Sequence, residues 1–337
     1  MTKRTETQQP SVVDHGEDVV TVISFNLKED GGPDTPDGGF PQRWLDAHEF
    51  LAPHRPDIVL RQEATHSHLD GNWRLRAAES ILGRPPYGAM TGILTPNGTG
   101  RHPTAMFLRR STFPSHEVIY DSPAQRAQWR TPPTVVITRL AEVPEVDLQV
   151  ASWHAAFNSS LGRHREADEL TGFVDKVKGG KAFLGGGDCN EEPRQGSEEF
   201  PAVDWSSPDV TDPVHMAHRT MELPDGTRVN SPYLDRTLLA CGLHDVARHA
   251  HSSLGQDGAM APTAGHAPEA AGQGGPQRID RIYADAWLIQ AVIAVTVLDT
   301  NGLSDHHAVK VVFSRRRFAE GLRRQYRALA SERAPAH

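Results

Sequence analysis

Residues 181–190 read KAFLGGGDCN: a short apolar run, three glycines, then an acid and an amide two positions apart. The run predicts a buried strand, and the glycines predict a turn that delivers Asp188 and Asn190 at its C-terminal end. In open α/β sheets, sites form at the carboxyl ends of strands. Three other stretches repeat the pattern. DVVTVISFN (18–26) is a β-branched run ending at Asn26, and DIVLRQE (57–63) ends at Glu63. Asp305 and His306 stand at the head of HHAVKVVF (306–313). Strands that each bring a polar group to one end, with helices between them, predict an α/β layered domain.

The helical crossovers are expected over about 42–52, where Trp44, Leu45, His48 and Leu51 share one side, over 73–82, and over a charged 163–178. Further short strands are expected near 87–93, 104–109, 134–140 and 147–154, and a helix at 232–241. QRIDRIYA (277–284) and AWLIQAVIAVTVL (286–298) each read as one strand. Residues 1–17 are polar and read as a disordered tail, and 251–277 is Gly, Ala, Pro and His and reads as a flexible insertion. No linker divides 18–314, which is taken as one domain, followed by a basic helix and tail at 315–337.

The 337 residues are 37% hydrophobic and 23% charged, which supplies a core and excludes a disordered chain or a coiled coil. The longest mostly apolar run, 286–298, is interrupted by Gln290 and Thr296 and falls short of the ~20 residues needed to span a bilayer. The opening MTKRTETQQP lacks the apolar stretch of a signal peptide, so a soluble, cytoplasmic protein is expected. Cys189 and Cys241 fall in no zinc spacing. A net charge of −8 argues against gripping nucleic acid by bulk positive charge, but leaves room for a locally basic cleft or a bound cation. Carboxylates gathered at strand ends repel one another unless a cation lies between them or their pKa values shift. An oxygen-dominated ligand set suits Mg²⁺ or Mn²⁺.

These segments together resemble the endonuclease/exonuclease/phosphatase family, which includes DNase I. The resemblance runs from about Val19 to Phe313 through SFN (24–26), DIVLRQE (57–63), ASWHAAFN (151–158), LGGGDCN (184–190), RIDRIYAD (278–285) and LSDHH (303–307). It implies a four-layer α/β sandwich, two packed mixed β-sheets flanked by helices. It also implies roles. Glu63 would be the principal metal ligand with Asp305 near the same ion, and Asn26 and Asn190 would orient the scissile phosphate or the metal's waters. Asp188 would position or deprotonate the attacking water. His306, oriented by Asp280, and His154 would contact phosphoryl oxygens from two sides. Asn158 and Arg165, with Arg163, are candidate phosphate contacts. Two positions depart from the family pattern: Arg61 stands where leucine is more usual, and Lys28 where some family nucleases carry a metal-binding acid.

The resemblance implies a metal-dependent hydrolase of phosphate esters, with nucleic acid favoured as partner. The rival readings are a phosphatase or phosphodiesterase on a small or lipid-derived phosphate, and a binding module that kept the fold. Cys189 reads as a small buried side chain rather than a reactive thiol, and Trp44, Trp73, Trp153 and Trp205 read as core. Seven arginines lie between Arg315 and Arg333, on a helix expected to dock through Phe318, Leu322 and Leu329 rather than to bind nucleic acid.

Overall fold

The computed structural model describes residues 18–95, 102–119, 128–174, 181–196, 199 and 201–332, with the side chains of 174 and 325–332 outside that set. The expected disordered tail, 1–17, and most of the loop 94–103 lie outside the described residues.

Two six-stranded mixed sheets face each other. The first contains β1 (Val19–Asn26), β2 (Ile58–Gln62), β3 (Met90–Leu94), β4 (Ala105–Arg109), β13 (Val292–Leu298) and β14 (Ala308–Ser314), in the order β13-β14-β1-β2-β4-β3. The second contains β5 (His116–Val118), β6 (Thr134–Thr138), β7 (Leu148–His154), β8 (Ala182–Asp188), β11 (Leu243–Asp245) and β12 (Asp280–Asp285), in the order β11-β12-β8-β7-β6-β5. A hairpin of β9 (Thr220–Glu222) and β10 (Arg228–Asn230) stands apart.

Strand alternation builds the layers. On β1, Val20 and Val22 turn inward with Ile58, Leu60 and Met106 to meet Val136, Val150, Leu184 and Ile282 of the second sheet. Ile23 and Phe25 turn outward, against Trp44, Ala47 and Leu51 of α1 (Gln42–Leu51) and Leu75, Ala78 and Leu82 of α2 (Trp73–Leu82). The outer face of the second sheet, with Val135, Trp153, Phe183 and Tyr283, is covered by α3 (Ser160–Val174). Past α4 (Pro213–Arg219), α5 (Tyr233–Ala240) covers the same face. Helix, sheet, sheet, helix: this is the four-layer sandwich. Two more helices, α6 (Val246–Leu254) and α7 (Arg315–Glu332), close the central core through Val246, Ala250, Phe318 and Leu322. Among the described residues no helix is long and apolar enough to cross a membrane.

Several local expectations are corrected. Helix α3 starts at Ser160 rather than 163, because Ser159 Oγ accepts a bond from Gly162 N at 3.0 Å and serves as the N-cap. The single strand expected over 286–298 is shortened to β13. Asp285 Oδ1 accepts from Trp287 N and Leu288 N, at 2.9 and 3.0 Å, and that Asx-type turn breaks the strand before a 3-10 turn at Ile289–Ala291. Residues 251–277 are not irregular. They hold the end of α6, 3-10 turns at Asp257–Met260 and Pro268–Gln273, and bridges from Ala264 to Gln277 and His306. Trp44, Trp153 and Trp205 are buried, but Trp73 is 52% exposed and stacks on Phe40 rather than entering the core.

Candidate active site

Register assembles the site. In the second sheet His154 is the partner of Asp188 on β7 and β8, and Asp188 is the partner of Asp280 on β12, so three polar residues lie abreast. In the first sheet Asn26 is the partner of Gln62, which places Glu63 just past the same end, and the antiparallel β14 starts there too, behind Asp305 and His306. Gly187 makes the second sheet's share possible. Its φ is +153°, and a Cβ there would lie 1.9 Å from the Trp153 carbonyl oxygen.

Asp188, 2% exposed, is the centre. Its Oδ2 accepts from Asn26 Nδ2 at 3.0 Å and lies 3.5 Å from His154 Nε2 and 3.8 Å from His306 Nε2. Its Oδ1 accepts from Asn190 N at 2.8 Å, while Asn190 Nδ2 donates to Ala155 O at 2.9 Å. Burial works against a charged Asp188, but His306, His154 and Arg219 outweigh it and hold the carboxyl below its usual range. His306 Nδ1 bonds Asp280 Oδ2 at 2.8 Å. Burial opposes the imidazolium here as well, yet the charge and hydrogen bond of Asp280, with Asp188 and Asp305, push His306 up to about 10. Thr263 Oγ1 accepts from Asp280 N at 2.9 Å and ties the strand start in place.

Glu63 sits at the mouth. Its Oε1 accepts from Asn26 Nδ2 at 3.2 Å, its Oε2 accepts from Glu29 N at 2.7 Å, and His102 Nδ1 is 3.6 Å away. Glu63 and Asn190 both adopt left-handed φ, +55° and +50°. For such residues this backbone costs on the order of 1–3 kcal/mol and clusters at functional sites. Asp305 pairs with Lys28 Nζ at 3.0 Å. Arg61 is buried; it donates to Asp30 Oδ1 at 3.0 Å and to the carbonyls of Phe25 and Gln62, so it braces the turn that carries Lys28 and Glu29.

The oxygen-rich centre suits a metal ion. Among the described residues, Asp188, Asp280 and His306 place three ligand atoms within 4.8 Å of one another. Asp280 Oδ1 and Asn26 Oδ1 are buried without a hydrogen-bond partner among the described residues, a cost that a cation or a substrate donor would relieve. Glu63 and Asp305, expected as the metal pair, stand outside that triad, each already engaged with an N–H or an ammonium group.

The structure thus brings Asn26, Glu63, His154, Asp188, Asn190, Asp280 and His306 together. Asn158 and Arg165 line a separate open cavity of about 580 Å³ with Arg130. Arg163 is fully buried and donates to Ala156 O and His218 O at 2.9 and 3.0 Å, which makes it a brace rather than a phosphate contact. Cys189 is buried and burial pushes its thiol up to about 12, so it is inert. Sequence reasoning missed His102, which is bonded to Thr65 Oγ1 at 2.9 Å beside Glu63, because nothing in its loop marks it. It also missed Arg219, which only the unexpected helix α4 brings near Asp188.

A profile of the Endonuclease/Exonuclease/phosphatase family matches residues 23–306. Among curated proteins none matches the sequence. Of the solved structures, an AP endonuclease from Archaeoglobus fulgidus is 14% identical, with 87% of this chain and 99% of that chain covered at a TM-score of 0.57. The 3′ phosphatase NExo from Neisseria, bound to product DNA hairpin, is 19% identical, with coverage of 87% and 99% and a TM-score of 0.56. A mannosyl-6-phosphatase from Bacteroides thetaiotaomicron is 16% identical, with coverage of 87% and 98% and a TM-score of 0.53. At these identities the structural likeness speaks for the fold alone.

Proposed function

Because this chain belongs to the endonuclease/exonuclease/phosphatase family and has its phosphoesterase fold, we propose that it is a Mg²⁺-dependent phosphoesterase acting on nucleic acid. The observation that carries the reading is Asp188 held between His154, His306 and Asn26. An in-line attack on phosphorus needs a base or anchor for water, and donors for the charge that spreads over the phosphoryl oxygens. Asp188, kept ionised, accepts the proton of the attacking water. His306, kept protonated by Asp280, presents Nε2–H to a phosphoryl oxygen, and His154 donates from the other side, while Asn26, whose amide hydrogens go to Asp188 and Glu63, holds those two carboxylates in place. Asp188 and Asp280, the latter through its unpartnered Oδ1, would hold the ion, with Glu63 and Asp305 near its approach. When bound, the ion supplies Lewis-acid polarisation of the phosphoryl group.

The DNA-acting neighbours support nucleic acid as substrate. The sugar-phosphate neighbour, together with the net charge of −8, supports a second reading, a small phosphate ester. Assaying the purified protein on plasmid DNA, RNA, inositol phosphates and an aryl phosphodiester, each with Mg²⁺ and with EDTA, separates them. Metal-dependent cleavage of DNA or RNA is expected; turnover confined to the small esters overturns the nucleic-acid reading.

A further inference from the structure

Beside the catalytic centre lies a cavity of about 190 Å³ whose wall includes Lys28, His215, Arg219, Asp305 and His306, with Glu269 at its exposed rim. His215 and Arg219 are one helical turn apart on α4, so both side chains reach the same side. Neither is satisfied. Arg219 Nε and Nη1 and His215 Nε2 are cut off from solvent, with no hydrogen-bond partner among the described residues. Burying such donors costs free energy that a bound acceptor would return. Arg219 acts electrostatically on Asp188 and Asp280 without bonding either of them. Of the two acids in its wall, Asp305 is paired with Lys28 at 3.0 Å and Glu269 stands in solvent at the rim. What remains is a small chamber with a guanidinium, an ammonium and an imidazole N–H to offer. It opens at the histidine that would contact the reacting phosphate. Its volume is below the ~300–1,000 Å³ of sites that enclose drug-sized ligands, so it fits a group rather than a whole nucleotide.

We propose that this cavity is a subsite for a second, non-scissile phosphoryl group of the substrate, with Arg219 as its principal binding residue and His215 and Lys28 as further donors. Guanidinium groups bind phosphate through paired N–H donors on one edge, and each such edge of Arg219, Nε with Nη2 or Nη1 with Nη2, includes one of its two unpartnered nitrogens. The inference rests on the phosphoesterase reading and narrows it, since the enzyme would prefer substrates with two phosphoryl groups in reach of each other. Such a pair occurs in a nucleic-acid backbone and equally in a small bisphosphate.

The test has two parts. Titration calorimetry with inorganic phosphate compares the wild type with Arg219→Ala, Arg219→Lys and Lys28→Ala. Affinity should fall at least tenfold for Arg219→Ala, less for Arg219→Lys, and several-fold for Lys28→Ala. That last position is half-exposed, so it reports on the subsite even if the buried variants fold poorly. Unchanged affinity in folded Arg219→Ala, or in Lys28→Ala where the buried variants do not fold, overturns the proposal. Kinetics then compare kcat/KM on a 5′-phosphorylated dinucleotide and on a hexose 1,6-bisphosphate with kcat/KM on bis(p-nitrophenyl) phosphate, which has a single phosphoryl group. Arg219→Ala should lower the two-phosphate to one-phosphate ratio at least tenfold, and the substrate with the larger wild-type ratio identifies the source. Equal losses on both classes would mark a structural role and sink the subsite. If the wild type turns over none of these esters, the phosphoesterase reading fails, and the calorimetry still decides whether the cavity binds phosphate.

Discussion

His306 Nδ1 donates to Asp280 Oδ2 at 2.8 Å, which leaves Nε2 as the one ring nitrogen free to face Asp188 and a substrate. Arg278 and Arg281, the other partners open to Asp280, are engaged elsewhere, with Glu199 and Asp245 and with Glu191. The two residues are therefore expected to act as a unit. His306→Ala should lower turnover by roughly 10²-fold or more, the scale of a lost acid/base or donor group. Asp280→Asn should cost less, and the double variant little more than His306→Ala alone. Turnover multiplied down in the double variant would show the two to be independent.

Activity should vanish in excess EDTA and return with Mg²⁺ or Mn²⁺, given the oxygen-rich centre and the unpartnered Asp280 Oδ1. Glu63→Gln should move the metal titration to higher concentration while leaving the melting temperature near that of the wild type. A metal titration identical to wild type would remove Glu63 from the ion's surroundings.

The C-terminal helix docks through fully buried Phe318 and Leu322, and Arg315 pairs with Glu142 at 2.5 Å. Leu322→Ala should cost about 2–5 kcal/mol of stability. Chemical denaturation measures it, and the substrate profile should not change. A loss of nucleic-acid affinity at unchanged stability would point instead to a binding role for the basic face.

His48 is buried, its Nδ1 bonded to Trp44 O at 2.8 Å, and burial pushes its pKa down to about 3 from 6.5. The folded chain then keeps it neutral where the unfolded chain protonates it. Its contribution is complete above pH 6.5 and falls as the pH drops toward 3, by about 1.4 kcal/mol per unit. His48→Gln should flatten the fall in unfolding free energy between pH 6.5 and 5. An unaltered pH slope would show that His48 is not the group responsible.

Gly187→Ala should be poorly tolerated, since the new Cβ would lie 1.9 Å from Trp153 O. The expected loss exceeds about 1 kcal/mol, because the native φ is incompatible with a side chain. A melting temperature equal to the wild type would show that β7 and β8 can part without penalty.

The strand ends were legible because apolar runs are bounded by polar residues: Asn26, Glu63 and Asp188 stand where runs end, and the Asp305–His306 pair where the last one begins. Partners such as Asp188 with His154 were not legible, since parallel register across β7 and β8 is set by tertiary packing. Residues 251–277 misled because composition reports the lack of large apolar side chains and not backbone bonding. Thr263 accepts from Ile279 N and Asp280 N, at 3.1 and 2.9 Å, and His307 N donates to Thr263 O at 2.6 Å. Arg219 was invisible because its importance lies in two guanidinium nitrogens without a partner among the described residues, and a sequence does not display that.

The proposed catalytic constellation straddles the seam between the two sheets: Asn26, Glu63 and His306 hang from one, His154, Asp188 and Asp280 from the other. No single sheet owns a working centre. A cavity-forming change among the facing side chains, such as Val150 or Ile282, could let the sheets slip by a fraction of an ångström while each stays intact. Productive alignment tolerates little such error. The interior far from any ligand therefore acts as a vernier for the chemistry, and slow yet fully folded variants should trace to that interface as often as to the residues that touch phosphate.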